Sequence, residues 1–132
     1  MTSPEDVALA LRGPILIVGA GLIGASVGKA LVAAGADVHL WDIDRGNALV
    51  AAGRGAGQLD GLDDDAYRVV VVATPPAAVA STIVERLNRH PRAVVTDTAS
   101  VKGAVLAELI DLTAGRDVDV TRYVGSHPMA GT

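Results

Sequence analysis

The sequence contains no cysteine, so its 132 residues offer neither a disulfide framework nor a thiolate nucleophile. It also has no phenylalanine, and its only other large aromatic residues are Trp41, Tyr67 and Tyr123. Because half of the residues are hydrophobic, the core must consist mainly of valine, leucine, isoleucine and alanine. Such a core is typical of a parallel sheet that is covered by helices on both faces.

Basic residues are also few, since eleven Lys and Arg stand against fifteen Asp and Glu and give a net charge of −4. No basic face is evident, so nucleic acid is not an expected partner. The three histidines are scattered along the chain without the spacing of metal ligands, and no metal site is expected.

A long apolar run is missing as well. The most apolar stretch, residues 14–31, is interrupted by four glycines, whereas a membrane helix needs about 18 or more uninterrupted apolar residues. We therefore expect a soluble, cytoplasmic protein without a membrane partner. The length of the chain predicts a single domain over residues 1–132.

Apolar runs and helical spacing alternate along the chain behind a polar lead-in over residues 1–12. The pattern predicts strands at 15–18, 37–41, 68–73, 93–96 and 122–124, helices at 22–34, 44–52, 76–88 and 101–112, and a loop at 53–65. This alternation calls for right-handed crossovers. The expected fold is therefore α/β, a doubly wound parallel sheet with helices on both faces.

The first strand and the first helix are joined by Gly19-Ala20-Gly21-Leu22-Ile23-Gly24. In this Gly-x-Gly-x-x-Gly spacing, Gly19 allows a sharp turn, Gly21 lets a pyrophosphate approach the backbone, and Gly24 lets helix and strand pack closely. The helix start at Leu22 and Ile23 offers free N–H groups to the phosphates. The motif alone is also compatible with a simple tight turn, but its place between strand and helix favours a Rossmann-type dinucleotide site.

The second strand is followed by Asp42, eighteen positions after Gly24. An acidic side chain at about this distance binds the adenosine ribose hydroxyls and repels the 2′-phosphate of NADP. The alternative is a solvated aspartate at a strand end. Asp44 is expected to cap the next helix. Arg45 has two candidate roles, which are stacking on adenine and contacting a 2′-phosphate if Asp42 turns away. The balance favours NAD as the cofactor over NADP.

Polar or proline-containing turns follow the third and fourth strands, at the sheet edge where ligands bind in such folds. Thr74 and Pro75 are candidates to line the ribose and nicotinamide, although the proline-rich turn also suits a helix start. Asp97 is a further candidate for cofactor binding. Ser100 is expected to cap the following helix, and its hydroxyl is also a candidate for the nicotinamide end of the crevice.

His127 follows the last predicted strand at the same edge of the sheet. A neutral imidazole near pH 7 is a suitable general base, but a lone histidine is more often structural or merely exposed. His39, inside a predicted strand, and His90, in a loop, are assigned no chemistry.

With these residues in hand, the chain resembles the nucleotide-binding domain of the prephenate/arogenate dehydrogenase family. Three blocks carry the resemblance over nearly the whole chain. They are Gly19-Ala20-Gly21-Leu22-Ile23-Gly24-Ala25-Ser26, Asp97-Thr98-Ala99-Ser100-Val101-Lys102 and Gly125-Ser126-His127-Pro128-Met129-Ala130-Gly131-Thr132. The first block is shared by many dehydrogenases, whereas the last two, in this order, are far more specific.

The resemblance implies oxidation and decarboxylation of prephenate or arogenate with NAD or NADP in tyrosine biosynthesis. It makes His127 the catalytic base for the ring hydroxyl, with Ser100 orienting both groups. It also implies a homodimeric full-length protein whose helical second domain supplies an arginine for the substrate carboxylate. This sequence lacks that domain, so we expect it to bind cofactor but to turn over prephenate negligibly by itself.

Two other interpretations stay open at this point. One is a different β-hydroxyacid dehydrogenase or imine reductase with a similar first domain, although the Ser100 and His127 blocks speak against it. The other is a non-catalytic module that binds NAD in order to regulate a partner.

Overall fold

The computed structural model describes residue 3 and residues 12–126. Its strands are β1 (Ile15–Val18), β2 (Val38–Trp41), β3 (Gln58–Leu59), β4 (Val69–Val72), β5 (Val94–Asp97) and β6 (Tyr123–Gly125). Its helices are α1 (Leu22–Ala33), α2 (Arg45–Gly53), α3 (Val79–Arg89) and α4 (Lys102–Thr113), and short 3₁₀ turns occupy Pro76–Ala78 and Val120–Arg122. None of the described helices is long and apolar enough to cross a membrane.

All six strands lie in one parallel sheet in the order β3-β2-β1-β4-β5-β6. The chain moves outward from β1 to β3 and then returns to place β4 on the other side of β1. This reversal opens a crevice at the carboxyl ends of β1 and β4, which is where doubly wound sheets bind their ligands. The predicted doubly wound parallel architecture is therefore confirmed.

The sheet is buried on both faces, as the run of four valines in β4 predicted. Along β1, Leu16 and Val18 belong to one core cluster, with residues of α3 and α4. Ile15 and Ile17 point the other way, into a cluster with residues of β2 and α2. The strand period of two thus places consecutive residues of the same strand in different cores.

The predicted elements are all present, with their ends displaced by at most three residues, and two details differ from the prediction. The segment 53–65, expected to be a loop, contains the short edge strand β3, which pairs with His39 and Leu40 of β2. The helix expected at 76–88 begins as a 3₁₀ turn and becomes α-helical at Val79. The polar lead-in over residues 1–12 falls largely outside the described residues, so its predicted conformation stays a prediction.

Candidate nucleotide-binding site

The glycine turn at the end of β1 has the geometry that its spacing predicted. Gly19 has a φ of +102°, and a Cβ on it would lie 2.6 Å from the carbonyl oxygen of Ala73. A Cβ on Gly24 would lie 1.8 Å from the carbonyl oxygen of Gly19. These two positions therefore accept only glycine, because the turn packs against the start of α1 and the end of β4 and leaves no room for a side chain.

The start of α1 is open, in contrast to the crowding at Gly19 and Gly24. Gly21 is the N-cap residue and supplies no side-chain cap, and no acidic residue lies in the first turn of α1. A Cβ on Gly21 would meet no atom of residues 12–126 within 4 Å, and Leu22 and Ile23 are exposed. Free N–H groups at a helix start, with open space in front of them, suit a phosphate group.

Asp42 links the end of β2 to this turn. Its Oδ2 accepts a hydrogen bond of 2.8 Å from the Ala20 N–H, and its Oδ1 accepts one of 2.8 Å from the Asp44 N–H. These two bonds fix the carboxylate beside the glycine turn. Each oxygen keeps lone-pair capacity for a further donor, so the carboxylate is oriented but still able to accept from a ligand hydroxyl.

A cleft of about 350 Å³ opens between the ends of β2 and β4. Asp42 and Ile43 lie on one side, Thr74 and Pro75 on the other, and Gly19 lies at the end nearest the phosphate turn. The Thr74 hydroxyl is buried and has no hydrogen-bond partner among the described residues. The structure therefore brings together Gly19, Asp42, Thr74 and Pro75 as the sequence predicted, and it leaves an unused polar group for a ligand.

Arg45, a further predicted site residue, does not line this cleft. It lines a neighbouring cavity with Leu59 and Asp60, on the β3 side of β2, and shares only the Trp41–Ile43 segment with the cleft. Asp44 caps α2 as expected, since its Oδ1 accepts from the Gly46 N–H at 2.9 Å.

Asp97 ends β5 inside a network of protein groups. Its side chain is fully buried, and its Oδ1 accepts from the Tyr123 hydroxyl at 2.6 Å. Its Oδ2 accepts from Lys102 Nζ at 2.5 Å and from the Ala99 N–H at 3.0 Å. Burial and this carboxylate raise the pKa of the Tyr123 hydroxyl above its ordinary value. The carboxylate of Asp97 thus holds β6 and the start of α4 in place at the edge of the crevice. Direct contact of Asp97 with a cofactor stays a prediction.

Ser100 is exposed near the start of α4 and lines a small cavity with Pro76, Val101 and Glu108. The prediction that it caps α4 is wrong, because the N-cap residue is Val101 and no side-chain cap bond forms there. Ser126, the last described residue, donates its hydroxyl to the Asp97 carbonyl oxygen at 2.5 Å, next to β5. His127 itself lies outside the described residues.

Trp41 and Arg86 are among the residues that line the cleft and that were not predicted from the sequence. Arg86 is 1% exposed, and its Cζ lies 4.9 Å from the centroid of the Trp41 ring. The signal was present in the sequence, because Arg86 lies three positions after the buried Ile83 and before the buried Leu87. The apolar stripe of an amphipathic helix faces the core, so a charged residue at one of its positions is unusual.

His90 contacts Arg86, and we expect it to make the stability of the folded protein sensitive to acid. His90 is fully buried, and burial is the main cause that lowers the pKa of its imidazole below the usual 6.5, against an opposing hydrogen bond to the Asp64 carbonyl. Its Nδ1 lies 2.8 Å from that oxygen and its Nε2 lies 3.2 Å from Arg86 Nη1. The neutral tautomer, with the proton on Nδ1, satisfies both contacts.

Below pH 6.5 the unfolded chain protonates His90 while the folded protein resists it, so the free energy of unfolding should fall from pH 7 to pH 5. The limiting slope for one proton is about 1.4 kcal/mol per pH unit. Urea denaturation at several pH values should show that the free energy of unfolding falls less steeply toward low pH in His90→Gln than in the wild type. Parallel slopes for the two proteins would contradict this account of His90.

The sheet order, the glycine turn and the open helix start together define a nucleotide-binding α/β domain. The family model for the nucleotide-binding domain of prephenate dehydrogenase matches residues 27–132. The chain belongs to this family. The matched range begins just after the glycine turn, so the turn supports the assignment independently.

Individual relatives agree with the family. The chain is 34% identical over 116 residues to "Probable prephenate dehydrogenase NovF" of Streptomyces niveus, which covers 88% of this chain and 31% of that protein. The crystal structure of Synechocystis arogenate dehydrogenase is similar with a TM-score of 0.71 and 28% identity, over 90% of this chain and 42% of that one.

A Corynebacterium glutamicum structure called a "putative prephenate dehydrogenase" is similar with a TM-score of 0.67 and 33% identity. That likeness covers 92% of this chain and 39% of the other. The chain thus spans about a third to two fifths of the length of these relatives.

Proposed function

We propose that this chain is the NAD-binding domain of a prephenate dehydrogenase, which converts prephenate to 4-hydroxyphenylpyruvate with loss of carbon dioxide. The observation that carries the proposal is the cleft that runs from the glycine turn to Asp42 and Thr74 in a chain of this family. Within the full-length protein, the remaining part would complete the substrate site and form a homodimer.

The described residues fit a dinucleotide. The open helix start after Gly21 suits the pyrophosphate, because a Cβ on Gly21 would meet no atom of the described residues within 4 Å and the first turn of α1 has no acidic residue. The fixed carboxylate of Asp42 suits the adenosine ribose, and the unpartnered Thr74 hydroxyl offers a hydrogen bond to the part of the ligand that passes β4. A nicotinamide ring bound at this edge supplies a hydride acceptor.

His127 is proposed as the general base of the reaction. It would accept the proton of the ring hydroxyl as hydride leaves the ring carbon that bears this hydroxyl, so that no unfavourable positive charge builds up on the hydroxyl oxygen. The proton can return to the same oxygen when carbon dioxide departs and the ring becomes aromatic. Ser100 would orient the hydroxyl, and Asp97 would hold the end of β6 close to β5 through Tyr123 and the bond from Ser126.

Arogenate is the alternative substrate, and the likeness to the Synechocystis arogenate dehydrogenase favours its inclusion in the test. The two substrates differ in a side-chain keto or amino group. Assaying both substrates with the full-length protein distinguishes a prephenate dehydrogenase from an arogenate dehydrogenase. A protein that binds NAD but oxidises neither substrate would support the NAD-sensing interpretation.

We expect the chain to bind NAD at least about tenfold more tightly than NADP, because the Asp42 carboxylate repels a 2′-phosphate. Calorimetric titration with both nucleotides measures the ratio. Asp42→Asn should lower the ratio of the NADP to the NAD dissociation constant. Asp44→Asn should leave this ratio unchanged, because asparagine keeps the helix cap and Asp44 does not line the cleft. Tighter binding of NADP by the wild type would reject the role of Asp42.

A further inference from the structure

Arg86 is a buried cation in the wall of the nucleotide cleft. Its side chain on α3 is 1% exposed, its guanidinium lies over the Trp41 ring, and its Nη1 meets His90 Nε2 at 3.2 Å. Burial lowers the pKa of the guanidinium, but an arginine remains charged at neutral pH. The cleft therefore has a positive charge that water reaches poorly.

This charge is incompletely neutralised. Arg86 Nε is buried and has no hydrogen-bond partner among the described residues. The carboxylate paired with it belongs to Glu85, whose Oε1 lies 3.7 Å from Nε, too far for a hydrogen bond, on a side chain that is 59% exposed. An uncompensated buried charge destabilises a fold, so its presence calls for a reason other than stability.

The position of Arg86 suggests that reason. The same cleft is lined by Gly19 of the phosphate turn, by Asp42 and by Thr74, whose buried hydroxyl also has no partner. Trp41, which lies between Arg86 and the turn, accepts a hydrogen bond from the Gly19 N–H at 2.8 Å through its carbonyl oxygen. The other charged groups that line this cleft, Asp42 and Glu85, are acidic and would oppose an anionic ligand.

We propose that Arg86 is an electrostatic determinant of nucleotide affinity. Its buried guanidinium, which lies over the Trp41 ring, attracts the negatively charged dinucleotide without touching its phosphates. The proposal rests on the proposed function, since it assumes that the cleft holds a nucleotide. A fixed charge behind a low-dielectric wall acts strongly on a ligand in a cleft, because little water screens it. Arg86 thereby offsets the acidic groups at the rim of the cleft.

A purely structural arginine and an electrostatic one predict different results for Arg86→Met. Methionine is apolar and flexible enough to pack against Trp41, but it also leaves the buried His90 Nε2 without its donor. Some loss of stability is therefore expected for either role, and nucleotide affinity is the measurement that separates them. A purely structural role predicts similar losses of affinity for charged and neutral ligands, whereas an electrostatic role predicts a loss that grows with the negative charge of the ligand.

The affinity test compares ligands that share adenosine and differ in charge. Dissociation constants for adenosine, NAD and ADP-ribose are measured by calorimetry or by competition against NADH fluorescence. For Arg86→Met we expect a loss of about three- to tenfold for ADP-ribose, a smaller loss for NAD, which carries one net negative charge fewer, and less than about twofold for neutral adenosine. High salt should reduce this loss of ADP-ribose affinity only in part. It should reduce the effect of removing an exposed charge more strongly, because exposed charges are screened better.

Two further variants control the experiment. Arg86→Lys keeps the charge and should retain most of the affinity for ADP-ribose. Arg89→Met removes the same charge from the same helix, but Arg89 is 42% exposed and pairs with Asp64 at 3.0 Å, away from the cleft lining. It should change affinity less than twofold. If Arg86→Met does not fold, Arg86→Gln, which is also neutral, serves in its place.

Equal losses for all three ligands, or a loss no larger than that of Arg89→Met, would overturn the electrostatic role of Arg86 while leaving the nucleotide site intact. A wild-type protein that binds none of the three ligands would overturn both this inference and the proposed function.

Discussion

His127→Asn should lower kcat by about two to four orders of magnitude, the usual scale for loss of a general base. Asparagine has a similar size and polarity but cannot accept the proton of the ring hydroxyl at neutral pH. The measurement requires a complete active site, so it is made with the full-length protein that the proposed function assumes. Turnover is followed as NADH absorbance with prephenate and NAD.

The same protein provides the controls for His127. NAD affinity and the melting temperature should be nearly unchanged in His127→Asn, since the proposed role concerns proton transfer alone. Ser100→Ala should reduce kcat less than His127→Asn does. It should also leave stability within about 0.5 kcal/mol, because Ser100 is exposed and does not cap α4. Near-normal turnover of His127→Asn would reject its assignment as the base.

The alternation of strands and helices could be predicted because most strands contain a short apolar run bounded by glycine, proline or polar residues. The run Val69-Val70-Val71-Val72 is long enough to signal a strand buried on both faces. Strand β3 could not be found in this way, because it has only two residues and lies at the sheet edge. Its pairing with β2 arises from tertiary structure and not from a local pattern.

The start of α4 shows how one side chain can overrule a local rule. Serine before a helix is a common N-cap, but Asp97 holds the preceding turn by accepting the Ala99 N–H, and it also pairs with Lys102. The helix therefore begins after Val101 instead of after Ser100. The sequence motif located the right segment, whereas the buried carboxylate decided its conformation.

The candidate site divides in the same way. The backbone part of it, which comprises the glycine turn and the open helix start, could be predicted because glycine spacing encodes local geometry. Asp42 was found because its distance along the chain is fixed by one βαβ unit. The helical spacing of Arg86 indicates a core-facing position, but its contact with Trp41, which is 45 residues away in the chain, forms only in the folded protein and could not be predicted.

Gly21→Val should abolish measurable binding of NAD and NADP, which we take as a loss of at least about a hundredfold. The reason is steric, because the valine side chain would occupy the open space before the start of α1, where the pyrophosphate is expected. The variant should fold, since Gly21 has an ordinary φ of −74° and a Cβ there meets no atom within 4 Å in the described part of the chain. Calorimetric titration measures the binding, and circular dichroism and urea denaturation measure the fold.

Gly53→Val is the matched control for this change. Gly53 ends α2, a Cβ on it also meets no described atom within 4 Å, and it does not line the cleft. It subjects the chain to the same glycine-to-valine exchange, so its nucleotide affinity should stay within about twofold of the wild type. Gly24→Val, by contrast, should lower stability as well as binding, because its Cβ would lie 1.8 Å from the Gly19 carbonyl oxygen. A folded Gly21→Val variant that still binds NAD would show that the pyrophosphate does not lie at this helix start.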